Sequence, residues 1–360
     1  MKPSPHLLVV ISSHGFGHLA QCAPVINALY QRLPEMRLTV CSGLPEGVLR
    51  ERLHPWFEYR SMDTDPGMPM SSAWEVDAIR VREFYAGYHH DREERAREFG
   101  QFLCETSPDL VLANIPYLVL AVAHQMGFPA IALCSLNWAS IYAGYVPVDE
   151  SDPVFSDMLS AYRAADLFLI PQPGLPMQEL PAARSVGPIA RIGRRRRPEL
   201  TGRLKLSPTD RLVMVGLGGI PAQIDYERWP GIPGVRWLLP RQPCTSRQDM
   251  TGMDNTGLPF IDVLASCDAI VTKPGYGVFV EAACNATPVL TVERPDWPET
   301  PFLVDWLKQH GNCGTVTAGQ LHAGDLSGAL TELWCQPVPT APHPCGIEET
   351  VDILLDYLHR

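Results

Sequence analysis

The chain has 360 residues, beyond the size at which a single core usually stops growing, so two domains are expected. Apolar residues make up 46% and charged residues 19%, a balance that suits a soluble globular protein. A net charge of −11 argues against nucleic acid as a partner, because phosphate backbones select basic surfaces.

Leu7 to Ile11 is a short apolar run that reads as a buried strand. It meets a polar bend and then Gly15-Phe16-Gly17-His18. Ala23 to Leu33 follows with apolar residues at helical spacing and Pro24 near the start, where proline is tolerated. Leu38 to Cys41 is a second strand. Residues 75–105 mix Arg and Glu with apolar positions and predict one long amphipathic helix. The runs "DLVLAN" from Asp109 and "PAIALC" from Pro129 read as strands flanking a helix, and "DLFLI" from Asp166 closes the pattern. The proline-dense segment from Pro171 to Pro181 marks the start of an interdomain linker. Within it, the basic run Arg194 to Arg197 reads as solvated.

The second half repeats the rhythm, with strands beginning at Arg211, Val235, Asp268 and Thr287. Strands alternating with helices imply parallel sheets covered on both faces. The expected organisation is therefore an N-terminal Rossmann-like domain over 1–170 and a linker region over 171–205. A second Rossmann-like domain over 206–345 and a closing segment over 346–360 complete it. The ten cysteines are scattered without a C-x-x-C pair, which removes zinc-ribbon and thioredoxin readings. No run approaches the length of a membrane span, and the apolar run near Met1 is too short for a signal peptide. A reducing cytoplasm is the expected location.

Three glycine-bearing turns sit at the ends of strands. The first, Gly15 to Ala20, matches G-x-G-x-x-A, but no ribose-binding acid ends the second strand, which closes in Cys41-Ser42-Gly43. Dinucleotide binding is therefore disfavoured. The turn instead lets the backbone approach a ligand and places His18 in the first turn of a helix. The positive end of the helix dipole favours neutral imidazole there, as a general base requires. A histidine that merely hydrogen-bonds a loop is the alternative. His14 and His18 lack a third ligand for a metal. The second turn is Gly216-Leu217-Gly218-Gly219 and the third Lys273-Pro274-Gly275-Tyr276-Gly277. The third suits a phosphate group at a helix start and the second a close approach to phosphate, a tight turn without ligand being its alternative; together they point to a diphosphate. Glu281 lies one turn along the helix after Gly277, where a carboxylate could accept hydrogen bonds from ribose hydroxyls; a solvated helix residue is the alternative.

These motifs resemble the GT-B superfamily of nucleotide-sugar glycosyltransferases. The nearer likeness is to the glycosyltransferase-like domain of plant arabinokinases and its bacterial stand-alone relatives. The residues that carry it are "GFGH" at Gly15, "NWASIYAGYV" at Asn137, "GLGG" at Gly216, "KPGYGVFVEA" at Lys273 and "ETPFLVDWL" at Glu299. The resemblance implies two Rossmann-like domains facing across a cleft, with the nucleotide sugar on the second and the acceptor on the first. It implies a C-terminal helix that crosses back to the first domain. It implies His18 as general base, Gly275 and Gly277 facing phosphate, Glu281 on the ribose, and Glu299 and Thr300 on the donor sugar; Gly15, Gly17, Gly218, Gly219, Lys273 and Tyr276 are the further expected nucleotide-sugar contacts, and Asp296 a second catalytic candidate. It also implies no metal and no cofactor beyond the nucleotide sugar. The resulting expectation is an inverting transfer from a UDP-linked sugar to a small-molecule acceptor, by a monomer or homodimer. A nucleotide-sugar epimerase, using Asp296 and Glu299 as acids, and a non-catalytic nucleotide-sugar binder are the alternatives.

Overall fold

The computed structural model describes residues 4–72, 74–149, 151–218, 224–242 and 247–359. The first half builds a seven-stranded sheet from β1 (His6–Ile11), β2 (Arg37–Ser42), β3 (Glu58–Ser61), β4 (Leu110–Asn114), β5 (Ala130–Leu133), β6 (Leu167–Pro171) and β7 (Ala183–Val186). Their order is β3-β2-β1-β4-β5-β6-β7. The second half builds a six-stranded sheet from β8 (Arg211–Gly216), β9 (Val235–Leu239), β10 (Met250–Gly252), β11 (Ala269–Thr272), β12 (Val289–Val292) and β13 (Cys313–Val316). Their order is β10-β9-β8-β11-β12-β13. Every pairing within both sheets is parallel.

The apolar runs explain this architecture. Successive side chains of a strand leave opposite faces. Leu7, Val9 and Ile11 of β1 enter one core, while Leu8 and Val10 enter the core on the other face. In β8, Leu212 and Met214 enter one core and Val213 and Val215 the other. Helices cover both faces in each half, as parallel sheets require.

Two expectations are corrected. The amphipathic stretch over 75–105 forms two helices, Val81–His90 and Arg92–Thr106, parted at Asp91. Glu93 and Glu94 in the first turn of the second helix favour a new start there. The first sheet also runs past residue 170. Ala183–Val186 pairs with β6, so the chain leaves that sheet only after Val186. This strand escaped notice because it is a short edge strand with two exposed positions and no apolar alternation.

The helix Gly346–Leu358 returns to the first half. Its Val351, Leu354 and Leu358 share a core with Leu19, Ile26 and Leu29 of the helix Gly17–Arg32. The Gly346 N–H donates to the Pro188 carbonyl at 3.1 Å, and Glu349 accepts from the Gly187 N–H at 2.9 Å. The two segments that join the halves are thereby tied where they cross. No described helix is long and apolar enough to cross a membrane.

Candidate active site

In an open parallel sheet, ligands bind beyond the carboxyl ends of the strands, where the strand order reverses. The first reversal lies between β1 and β4, and the second between β8 and β11. The three glycine turns emerge at these two points. The helices that follow the first and third turns, Gly17–Arg32 and Tyr276–Cys284, approach closely near their starts: a Cβ on Gly277 would lie 2.9 Å from that of Ala20, so only glycine permits this approach.

On the first half, Gly15 takes a left-handed φ of 78°, and the helix Gly17–Arg32 follows two residues later. His18, in its first turn, is 5% exposed. Burial pushes its imidazole down to about 4, partly opposed by its bond to Asn114, so it is neutral at pH 7. Its Nδ1 lies 2.7 Å from Asn114 Oδ1 at the end of β4. His14, before the turn, accepts a bond from the Met68 N–H at Nδ1 (3.3 Å), so its proton sits on Nε2. Burial, with His18, Arg294 and Lys273 nearby, holds His14 down at about 3.

On the second half, the carboxyl ends of β8, β11 and β12 converge on two cations. Gly218 (φ 84°) rides on the Lys273 stem: a Cβ there would meet Lys273 Cε at 3.2 Å. Burial and the neighbouring Arg294 bring the Lys273 ammonium down to about 8. Arg294, two residues past β12, is 6% exposed, and its Nε and Nη2 find no hydrogen-bond partner among the described residues. Buried guanidinium nitrogens are costly to leave unmatched, which makes this corner ready for an anion. The start of the helix Tyr276–Cys284, capped by Gly275, adds open backbone N–H groups beside it.

The halves meet through aromatic rings. Trp297 stacks on His14 at 6.4 Å and 11°, and carries the Arg294 guanidinium over its ring at 4.2 Å. Trp138, which packs its ring against both His14 and His18, donates from Nε1 to Asp65 at 2.9 Å. A base and a cationic pair are thus set on opposite sides of one shared aromatic seam.

Comparison with known proteins agrees with this layout. No protein-family profile matches the chain. It is 25% identical over 330 residues to L-arabinokinase of Arabidopsis thaliana, a match that takes in 86% of this chain but 30% of that protein. The chain therefore spans less than a third of that relative's length. Among solved structures, the calicheamicin glycosyltransferase CalG4 superposes with a TM-score of 0.66 at 16% identity, over 100% of this chain and 99% of its own. The glycotransferase of kitacinnamycin gives 0.67 at 16% identity, over 99% and 100%. UGT89C1 of Arabidopsis thaliana, complexed with UDP, gives 0.59 at 15% identity, over 98% and 99%.

The fold is GT-B.

Several residues that the GT-B resemblance implies for ligand contact have other work in this chain. Tyr276 is buried, and its hydroxyl accepts from the Ile189 N–H at 2.9 Å while donating to the Gln172 carbonyl at 3.1 Å. Glu281 is buried too, with Oε1 held by Arg191 Nε at 2.8 Å. Asn285 accepts from the Gly193 N–H and donates to the Arg191 carbonyl. These three side chains fasten the connecting segment to the second half, so Tyr276 turns away from the switch point and one Glu281 oxygen is already committed. Glu299 is buried at the seam, accepting from Ser135 Oγ at 2.6 Å and Trp297 Nε1 at 3.3 Å. Both its oxygens are engaged, so it is a contact between halves. Thr300 is buried with Oγ1 unpartnered among the described residues, and Asp296 is exposed at the rim, 3.4 Å from the Tyr145 hydroxyl. Gly15, Gly17, His18, Gly218, Lys273, Gly275 and Gly277 line the two switch points; Gly219 lies outside the described residues.

Sequence reasoning missed Asn114, Gln21, Ser135 and Arg294. Asn114 and Arg294 had a signal: each is a polar residue at or just past the end of a buried strand. Gln21 and Ser135 had none, since their roles arise only from pairing across the fold.

Proposed function

We propose that the protein transfers a glycosyl group from a nucleotide diphosphate sugar, UDP-linked, to a small-molecule acceptor, with inversion and without a metal ion. The carrying observation is the opposition of neutral His18 on one half to the Lys273–Arg294 pair on the other. In this reading the acceptor hydroxyl gives its proton to His18 as its oxygen bonds to the anomeric carbon. The bond from that carbon to the diphosphate breaks, and its electron pair leaves with the diphosphate. Lys273, the Arg294 guanidinium and the helix start at Gly275 stabilise that charge, an electrostatic role that needs no cation from solution. The UDP held by the structural neighbour UGT89C1 supports the choice of nucleotide. An epimerase using Asp296 and Glu299 as acids would need both free, and Glu299 has both oxygens engaged, which leaves Asp296 alone. With nine described cysteines all free thiols, a reducing compartment suits the protein.

Calorimetric titration with UDP, with and without magnesium, tests the donor site. Equal binding in both is expected; binding only with magnesium refutes the metal-free diphosphate site. Incubation with UDP-sugars and an acceptor panel then tests transfer, and tight binding without turnover across the panel points to a binder without chemistry.

A further inference from the structure

His18 is useful as a base only through a ring nitrogen that carries no proton. Its Nε2 makes no hydrogen bond among the described residues, while Nδ1 faces Asn114 at 2.7 Å, with the weakly bonding Cys134 Sγ farther off at 3.8 Å. Which nitrogen holds the hydrogen therefore depends on which way the Asn114 amide points. An amide's two ends are interchangeable in shape, so its orientation must be dictated by its partners.

Those partners form a chain that starts at a group with no choice. The Ser135 backbone N–H is always a donor, and it lies 3.3 Å from one end of the Gln21 amide. That end must be Oε1. The other end, Nε2, then donates to Ser135 Oγ at 2.9 Å, and Ser135 passes its own hydrogen to Glu299 at 2.6 Å. Gln21 Oε1 also faces the Asn114 amide at 3.2 Å, so the atom opposite must be the donor Nδ2. Asn114 therefore turns Oδ1 to His18, and Nδ1 must carry the ring hydrogen. Inverting Gln21 would set its Nε2 against the Ser135 N–H, donor against donor, and inverting Asn114 would set its Oδ1 against Gln21 Oε1, acceptor against acceptor, in a site where Asn114, Gln21 and Ser135 are each no more than 3% exposed. Water is too scarce there to repair such a mismatch.

We propose that Gln21 and Asn114 are positioning residues that transmit the direction of the Ser135 N–H to His18, holding it with the proton on Nδ1 and Nε2 bare. Glu299, from the second half, completes the chain by accepting the Ser135 hydroxyl hydrogen. The relay uses amides where a carboxylate would do the same with charge, so it sets the tautomer while leaving the imidazole's charge alone. Its kinetic consequence rests on the glycosyl-transfer reading; the tautomer itself does not.

The test is nitrogen-15 NMR of the His18 ring in the full-length, ligand-free protein, with His18→Gln used to assign the signal. Wild type is expected to show a protonated Nδ1 and an unprotonated Nε2. Gln21→Met keeps the bulk but frees Asn114 to invert, and the second tautomer is expected to appear. Ser135→Ala keeps the backbone N–H and is expected to keep the wild-type pattern. A proton on Nε2 in wild type overturns the proposal even if no variant folds. So does a Gln21→Met ring identical to wild type, or a scrambled ring in Ser135→Ala. Once a substrate pair is known, turnover of Gln21→Met falls in proportion to the lost Nδ1–H population while UDP affinity stays level. Loss of UDP binding in wild type would count against the transfer reading and leave the relay standing.

Discussion

Tyr276→Phe separates a strut from a ligand contact. The Tyr276 hydroxyl takes the Ile189 N–H at 2.9 Å and gives its own hydrogen to the Gln172 carbonyl at 3.1 Å. Phenylalanine keeps the ring in place and removes both bonds. Gln172 is exposed, so its carbonyl regains water. Ile189 is 1% exposed, so its N–H stays dry and unpaired. A buried donor left without a partner costs about 1–3 kcal/mol, and that single group sets the scale of the loss. Urea unfolding followed by tryptophan fluorescence should therefore show a lowered midpoint with an unchanged slope. UDP affinity measured by calorimetry should stay level, because the lost hydroxyl faces the connecting segment. Unchanged stability combined with a tenfold or greater loss of UDP affinity would refute the reasoning and return Tyr276 to the ligand.

Arg294→Met should weaken UDP binding by about 10–100-fold, the worth of about 1.5–3 kcal/mol for hydrogen bonds to a charged group, and calorimetry giving the wild-type Kd would remove Arg294 from the diphosphate site. Lys273 is held near 8 without ligand, and an anion beside it favours the protonated form. The complex thus binds more protons than the free protein above that pH, so affinity should be flat below about pH 8 and fall by up to about tenfold per pH unit above it. Lys273→Arg should stay flat over the same range, and a flat wild-type curve would contradict the assignment. For His18 the folded value of about 4 lies below the unfolded 6.5, so the unfolded chain takes the proton first as pH falls. The group costs nothing above pH 6.5 and about 3 kcal/mol by pH 4. Asp65, which burial raises to about 6, acts in the opposite sense, and it cancels when wild type is compared with His18→Gln. Unfolding curves at pH 7 and pH 4.5 should show the variant losing less stability on acidification than wild type.

The sequence by itself determined the inner strands, the glycine turns and the class of fold, but not the four edge strands Glu58–Ser61, Ala183–Val186, Met250–Gly252 and Cys313–Val316. Leu7–Ile11 and Arg211–Gly216 are legible because a strand buried on both faces has no polar alternative, and burial of one residue does not depend on which strand lies beside it. Gly15 and Gly218 are legible because a left-handed backbone selects glycine locally. His18 was found for the same reason: its place in the first turn of a helix is a property of neighbours in the chain. Only the tertiary structure decided what the polar side chains do. Tyr276 and Glu281 sit in the motif that implies a ligand, yet their partners are Ile189, Gln172 and Arg191, about 90 or more residues away. Glu299 meets Ser135 across the two halves, and the His18 tautomer is set by a backbone N–H brought in by β5. An apolar side chain needs only to leave water. A hydrogen-bonding one needs a particular donor or acceptor at a particular distance, and the strand order supplies it.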